Sequence, residues 1–122
     1  QYALVIGIFL EQYAKGESLS IVGDGEQRRD FIYVKDVAEA NYLAAFSKIE
    51  KKDYGEIYNV GSGRNLSVNQ IADLISKRQR KLPPKIGEAR ENLADVSKIK
   101  RVFGWSSKVR IEDWLKEIID KN

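Results

Sequence analysis

The sequence predicts a small mixed α/β domain. Three observations carry that reading. Apolar residues recur at helical spacing in several segments, short β-prone runs lie between them, and glycines punctuate the places where one kind of segment gives way to the other. The chain has 122 residues, one domain's worth, enough to bury roughly two-thirds of its unfolded surface if it folds alone.

Ala3 to Lys15 is expected as a helix, with Ile6, Phe9, Leu10 and Tyr13 on one face and Gly16 as the stop. A half-buried strand follows, in which Leu19 and Ile21 alternate with Ser20 and Val22, and Gly23-Asp24-Gly25 turns the chain back. Phe31 to Val34 is apolar and β-prone, which predicts a second strand with Arg28 and Arg29 at its mouth. Asp36 and Glu39 then form an acidic variant of the capping box for a helix through Val37, Ala40, Ala44 and Phe46 to about Lys48. A polar connector at Lys51-Lys52-Asp53 leads to a short strand at Ile57 to Val60.

Gly61-Ser62-Gly63 precedes Ser67-x-x-Gln70, a capping box proper, opening a helix whose core face is Val68, Ile71, Leu74 and Ile75. Lys77, Arg78, Arg80 and Lys81 are expected at its C-terminal end, complementing the dipole, and Pro83-Pro84 terminates it. Lys85 to Leu93 should be extended. Asp95 caps a helix that buries Ile99, Val102 and Phe103, Gly104 stops it, and Trp105 packs back on it. A last helix begins near Ile111, buries Trp114, Leu115 and Ile118, and carries Lys121 at its end.

Composition narrows the chemistry. There is no cysteine and no histidine, so disulfides, thiolate metal sites and imidazole catalysis are excluded, and any catalysis must rest on Asp, Glu, Lys, Tyr or Ser. The net charge of +3 suits an anionic small molecule, and the basic residues form no long stripe of the kind that binds nucleic acid. No apolar run approaches the roughly 20 residues that span a bilayer, and the apolar start has no basic leader segment, so no membrane partner and a cytoplasmic location are expected. The chain has no methionine and begins with Gln1, from which a piece of a longer chain is expected.

The stretch Leu19 to Val34 carries the functional reading. Two glycines let the backbone approach a ligand closely, and a guanidinium held beside such a turn suits a phosphate through its two parallel N–H donors. A charged glycine turn on the surface is the competing, purely structural reading. Gly61-Ser62-Gly63 lies between a strand and a helix, like a dinucleotide loop, but Leu66 stands where the third glycine belongs and a basic stretch occupies the place of the ribose-binding acid, so a structural turn is expected.

The wording GDGEQRRDFIYVKDVAEA, followed in order by YNVGSG, PPKIGEAR and LADVSKIKRVFGW, resembles the C-terminal, substrate-binding part of the extended short-chain dehydrogenase/reductases, the NAD-dependent epimerase/dehydratase family. The resemblance spans nearly the whole chain and favours the UDP-sugar 4-epimerases within that family. It implies a lobe that binds a UDP-sugar or related nucleotide-sugar. It also implies that a strand and helix, within about residues 35–61, complete the parallel sheet of a missing N-terminal Rossmann domain. The parent enzyme would be a homodimer in which NAD oxidises the sugar at C4 and the hydride returns to the other face.

The family's Tyr-x-x-x-Lys pair is absent, since none of Tyr2, Tyr13, Tyr33, Tyr42, Tyr54 and Tyr58 has a lysine four residues later. The catalytic base and cofactor loop are therefore expected elsewhere, with no catalytic residue and no bound cofactor in this chain. The resemblance places the nucleotide base on the backbone of Ser20 and Val22, with Leu19 and Ile21 as apolar walls, and the diphosphate on Arg29, while Asp30 anchors the loop. Lys85-Ile86-Gly87-Glu88 aligns with Arg-x-Gly-Asp in the family, so Lys85 is a candidate second phosphate contact or a solvated surface residue. Glu88 is a candidate ribose acceptor, and Arg90 a compensating cation. The alternative is a stand-alone nucleotide- or anion-binding module without catalysis.

Overall fold

The computed structural model of the chain describes residues 4–121. They form α1 (Val5–Ala14), β1 (Leu19–Val22), β2 (Arg28–Arg29), α2 (Val34–Phe46), a 3-10 turn (Lys51–Asp53), β3 (Leu66–Ser67), α3 (Val68–Ile75), β4 (Gln79–Leu82), α4 (Ser97–Phe103) and α5 (Ile111–Asp120). The predicted mixed α/β class holds. The elements separate into two compact units.

The first unit runs up to Arg29, resumes over Leu66–Asn92 and takes in the C-terminal residues from Glu112. β1 and β4 pair in parallel, Leu19 opposite Gln79 and Val22 opposite Leu82. Parallel neighbours need a long crossover, and α3, which lies on that path, packs against β1 and α1. Phe9, Leu19, Ile21, Val68, Ile71, Ala72, Ile75 and Leu115 are buried in this unit.

Ser67 caps α3 as expected, its hydroxyl accepting from Gln70 N–H while the Gln70 side chain accepts from Ser67 N–H. The rest of that segment departs from expectation. The helix ends at Ile75, well before Pro83-Pro84, because Gln79–Leu82 leaves it to form β4. The basic run is thus a strand edge rather than a helix end. Leu74, expected in the core, is 42% exposed, and Ala72 takes its place on the buried face. The first expected residue of α1, Ala3, lies outside the described residues, and Gly16 closes the helix at φ +68°.

β2 pairs antiparallel with β3, Arg28 opposite Ser67 and Arg29 opposite Leu66. Arg28 also bonds on its other side, donating its N–H to the Arg90 carbonyl at 2.8 Å and accepting from Asn92 N–H at 3.0 Å. The arginines are therefore themselves the strand.

The second unit comprises Asp30–Asn65 and Leu93–Ile111. Its core is Ala40, Ile99 and Trp105, with Ile32, Leu43, Tyr58, Val60, Val96 and Phe103 packed around them. Phe31 to Val34, expected as a strand, lies in no strand among the described residues, and Val34 already opens α2. Ile32 joins the core instead and Tyr33 leads into α2. Ile57 to Val60 likewise forms no strand among the described residues. Tyr58 and Val60 pack inward, and Ile57 is 85% exposed.

Asp36 does not cap α2. It is buried in the first turn and accepts from the backbone N–H groups of Lys108 (2.9 Å) and Val109 (3.1 Å), while Glu39 pairs with the Lys108 ammonium. The acidic pair fastens a distant loop to the helix. Gly104 ends α4 at φ +63°, and the buried Trp105 indole N–H donates to the Asp36 carbonyl at 3.1 Å, the packing the sequence predicts. No described helix is long and apolar enough to cross a membrane.

Candidate functional site

The parallel β1–β4 pair creates the site. At its C-terminal end Gly23 N–H donates to the Leu82 carbonyl (2.9 Å), and Gly23, at φ +64°, lies where a Cβ would sit 3.5 Å from Pro84. Beyond this point the two strands diverge around a cleft of about 420 Å³, lined by Val22, Gly23, Asp24 and Gln27 on one side and by Leu82, Pro84, Lys85, Glu88, Ala89 and Arg90 on the other. Open α/β structures tend to place ligand crevices beyond the carboxyl ends of parallel strands.

Four of the seven expected site residues, Val22, Lys85, Glu88 and Arg90, line this cleft. Arg29 joins them through Glu88, donating from Nη2 to Oε1 at 3.2 Å, while its Nη1 donates to the Arg28 carbonyl at 2.8 Å. Arg90 donates from Nη1 to Asp24 Oδ1 at 2.9 Å. That hydrogen bond, with a second from Glu26 N–H, holds the Asp24 carboxyl below its ordinary value. Lys85 has no hydrogen bond or ion pair among the described residues. Two of the three expected cations thus already hold a carboxylate.

Leu19 is a correction. It and Ile21 are fully buried in the core, because alternation along a strand sends these two side chains to the packed face. They cannot wall a base. The same alternation points the backbone groups of Leu19 and Ile21 at β4 and those of Ser20 and Val22 at the open edge. The edge is partly occupied: Ser20 N–H donates to Gln12 Oε1 (3.0 Å), Gln12 Nε2 donates to the Ser20 hydroxyl (2.8 Å), and the Val22 carbonyl accepts from Gln27 Nε2 (3.0 Å). Val22 N–H has no partner among the described residues.

Sequence reasoning passed over Gln12, Asp24, Gln27, Lys81 and Asn69. The GDG turn is stitched to α3 by the Lys81 ammonium, which donates to the Asp24 carbonyl and to Asn69 Oδ1, both at 2.9 Å, and by Asn69 N–H, which donates to the Gly25 carbonyl at 2.9 Å. Nothing in a polar residue's spacing distinguishes such a brace from a solvated side chain.

The second glycine turn is structural, as expected. Asp30 accepts from Ser62 N–H (2.7 Å), the Ser62 hydroxyl (2.6 Å), Gly63 N–H (3.0 Å) and Ala94 N–H (3.2 Å). With those amides committed, the turn does not fit a dinucleotide pyrophosphate. No cluster of three or more potential metal ligands occurs among the described residues.

Residues 2–61 match the NAD dependent epimerase/dehydratase family. The chain belongs to this family. A UDP-glucose 4-epimerase from Thermotoga maritima, solved with UDP-glucose, is 37% identical with a TM-score of 0.85, over 98% of this chain and 39% of that one. A UDP-N-acetylglucosamine 4-epimerase from Methanobrevibacter ruminantium, solved with UDP-N-acetylmuramic acid, is 36% identical with a TM-score of 0.83, over 98% of this chain and 39% of that one. A UDP-glucuronate 4-epimerase from Thermodesulfobacterium geofontis is 31% identical over 92% of this chain and 35% of its own length. This family member therefore spans about two-fifths of the length of these relatives.

Proposed function

We propose that this chain is the nucleotide-sugar-binding lobe of an NAD-dependent sugar-nucleotide 4-epimerase, with UDP-sugars as ligands. The observation that carries the reading is the cleft beyond β1 and β4, where an open strand edge at Val22 meets Lys85, Glu88 and Arg90, with Arg29 alongside. The strand edge offers backbone groups to a base, the cations neutralise a diphosphate, and the carboxylate of Glu88 accepts from a ribose hydroxyl. Such a lobe contributes to rate by orienting the sugar, the hydride chemistry belonging to the cofactor domain of the parent enzyme.

The same reading assigns residues 35–61 to contact with that domain. Val34, Tyr42 and Phe46 on α2 are 71%, 63% and 73% exposed, and Ile57 is 85% exposed, apolar side chains of the kind that mark an interaction surface. A cytoplasmic, homodimeric parent follows the family pattern.

A second reading, a nucleotide- or anion-binding module without catalysis, draws on the cleft's lining, which comes wholly from the first unit. Reading the coding sequence ahead of Gln1 for a GxxGxxG loop and a Tyr-x-x-x-Lys pair separates the two. Titration calorimetry of the full chain with UDP tests the site itself. Micromolar or tighter binding is expected, and no heat at millimolar UDP would overturn the reading.

A further inference from the structure

A Cβ on Gly25 would sit 2.0 Å from Asn69 Oδ1 and 2.6 Å from Asn69 Cγ. The Asn69 amide thus fills the space where a side chain at Gly25 would stand, and the GDG turn and the start of α3 fit only as a pair. Both ends of that amide are engaged. Nδ2 donates to the Asp24 carbonyl at 2.9 Å and to Glu26 Oε1 at 2.5 Å, and Oδ1 accepts from the Lys81 ammonium, which also donates to the Asp24 carbonyl. On the other side of the same residue, the Asp24 carboxylate accepts through Oδ1 from Glu26 N–H and from Arg90 Nη1, both at 2.9 Å. The carboxylate therefore turns with the peptide groups that Asn69 holds. Asp24 and Arg90 line the cleft, whereas Asn69 and Lys81 do not.

We infer that Asn69 is a positioning residue of the cleft, which touches no ligand but, by fixing the Asp24 peptide group, sets where the Asp24 carboxylate holds the Arg90 guanidinium. The inference rests on the proposed nucleotide-sugar site and deepens it, by tracing the placement of one of its cations to a residue on α3. The Arg90 and Asp24 side chains are 66% and 57% exposed, and an exposed pair gains little by itself because two long or mobile side chains must be held in one geometry. Fixing one partner through its own backbone removes half of that cost. Lys81, the cation nearest the turn, has two of its three donors committed to the same brace, so it serves the turn rather than the anion.

The test is a double-mutant cycle in the full chain, Asn69→Ala with Arg90→Ala, read by calorimetry with UDP. Asn69→Ala is expected to weaken binding about 3-fold, no more than Arg90→Ala does, and to add little once Arg90 is gone. Unchanged affinity in Asn69→Ala overturns the inference, and so does a penalty of the same size in the Arg90→Ala background, since a general loosening of the turn would not depend on Arg90. A second readout needs no nucleotide. The Asp24 carboxyl, faced by Arg90, the Glu26 N–H and Lys81, should titrate at a higher pH in Asn69→Ala as the Arg90 contact is lost, and an unmoved midpoint overturns the inference while leaving UDP binding intact. On the unaltered chain, where no variant has to fold, the Asn69 side-chain amide protons should exchange slowly with water and lie in contact with the Gly25 methylene. Exchange at the rate of a free asparagine overturns it as well. UDP that fails to bind the unaltered chain removes the proposed site, and the inference with it, even where the Asp24 midpoint moves.

Discussion

Arg29 and Glu88, 59 positions apart in sequence, are joined by an ion pair of 3.2 Å, with their side chains 25% and 34% exposed. The pair presets the guanidinium beside the cleft lining, and under the proposed function a diphosphate would have to share or displace the carboxylate. Arg29 is held on both sides, by Glu88 and by the Arg28 carbonyl, so little entropy remains to be lost on binding.

Arg29→Ala is accordingly expected to weaken UDP binding by about 1.5–3 kcal/mol, the range for a hydrogen bond to a charged group. Lys85→Ala and Arg90→Ala should each have a smaller effect, and the double variant more than the sum, because either cation can cover for the other. Calorimetry on the four variants measures this. An Arg29→Ala affinity within about twofold of the parent, roughly 0.4 kcal/mol, would reduce the motif to a structural turn.

Asp24 titrates below the ordinary carboxylate value near 3.8, first because Arg90 donates to it and second because Glu26 N–H does. A depressed folded value means that the contribution to stability is present above the unfolded value and is lost as pH falls from about there through the lowered one. Following the Asp24 carboxyl carbon by NMR, Arg90→Gln should move the midpoint upward toward 3.8 without reaching it, since the Glu26 amide remains. A midpoint that does not move would show that the two side chains are apart in solution.

Gly25 and Gly87 both have positive φ, +76° and +83°, yet their surroundings differ. A Cβ at Gly25 would overlap the Asn69 side-chain amide and Ile21, whereas at Gly87 nothing lies within 4 Å. Gly87→Ala is expected to cost about 1 kcal/mol from backbone strain alone, and Gly25→Ala clearly more, up to roughly 3 kcal/mol or beyond. Equal midpoints in urea denaturation would contradict the packing described at the turn.

The rings of Tyr42 and Phe46 lie 4.8 Å apart on the exposed side of α2. The isolated chain is expected to bind an apolar dye and to self-associate at raised concentration, and Tyr42→Lys with Phe46→Lys should suppress both while changing stability by no more than about 0.5 kcal/mol per site. Light scattering and dye fluorescence decide it. A strictly monomeric, dye-silent parent chain would leave that face without a reason to be apolar.

Local signals were legible. The Ser67 capping box, the glycine stops at Gly16 and Gly104, the alternation in Leu19 to Val22 and the return of Trp105 all depend on residues near one another in sequence. The errors share a different cause. Gln79–Leu82 reads as helix end until β1 is known to lie beside it, and Phe31 to Val34 reads as strand until the Ala40, Ile99 and Trp105 core is there to take Ile32. Leu19 was misplaced because the alternation that makes the strand also decides which side of it faces the core. The cations of the site carried a signal through their motif, while Gln12 and Asn69 carried none, since each acts only through a partner brought beside it by the fold.

The parallel register of β1 with β4 places Val22 opposite Leu82, 60 positions later in the chain. Contacts of such separation form late and slowly, after the entropy of closing the intervening loop has been met. Both walls of the cleft hang from this one pairing. During synthesis a nascent chain therefore lacks this cleft until residues beyond Leu82 have left the ribosome, and if the proposed function holds, a nucleotide added during refolding should accelerate none of the early phases, acting only by slowing unfolding once the two strands have met.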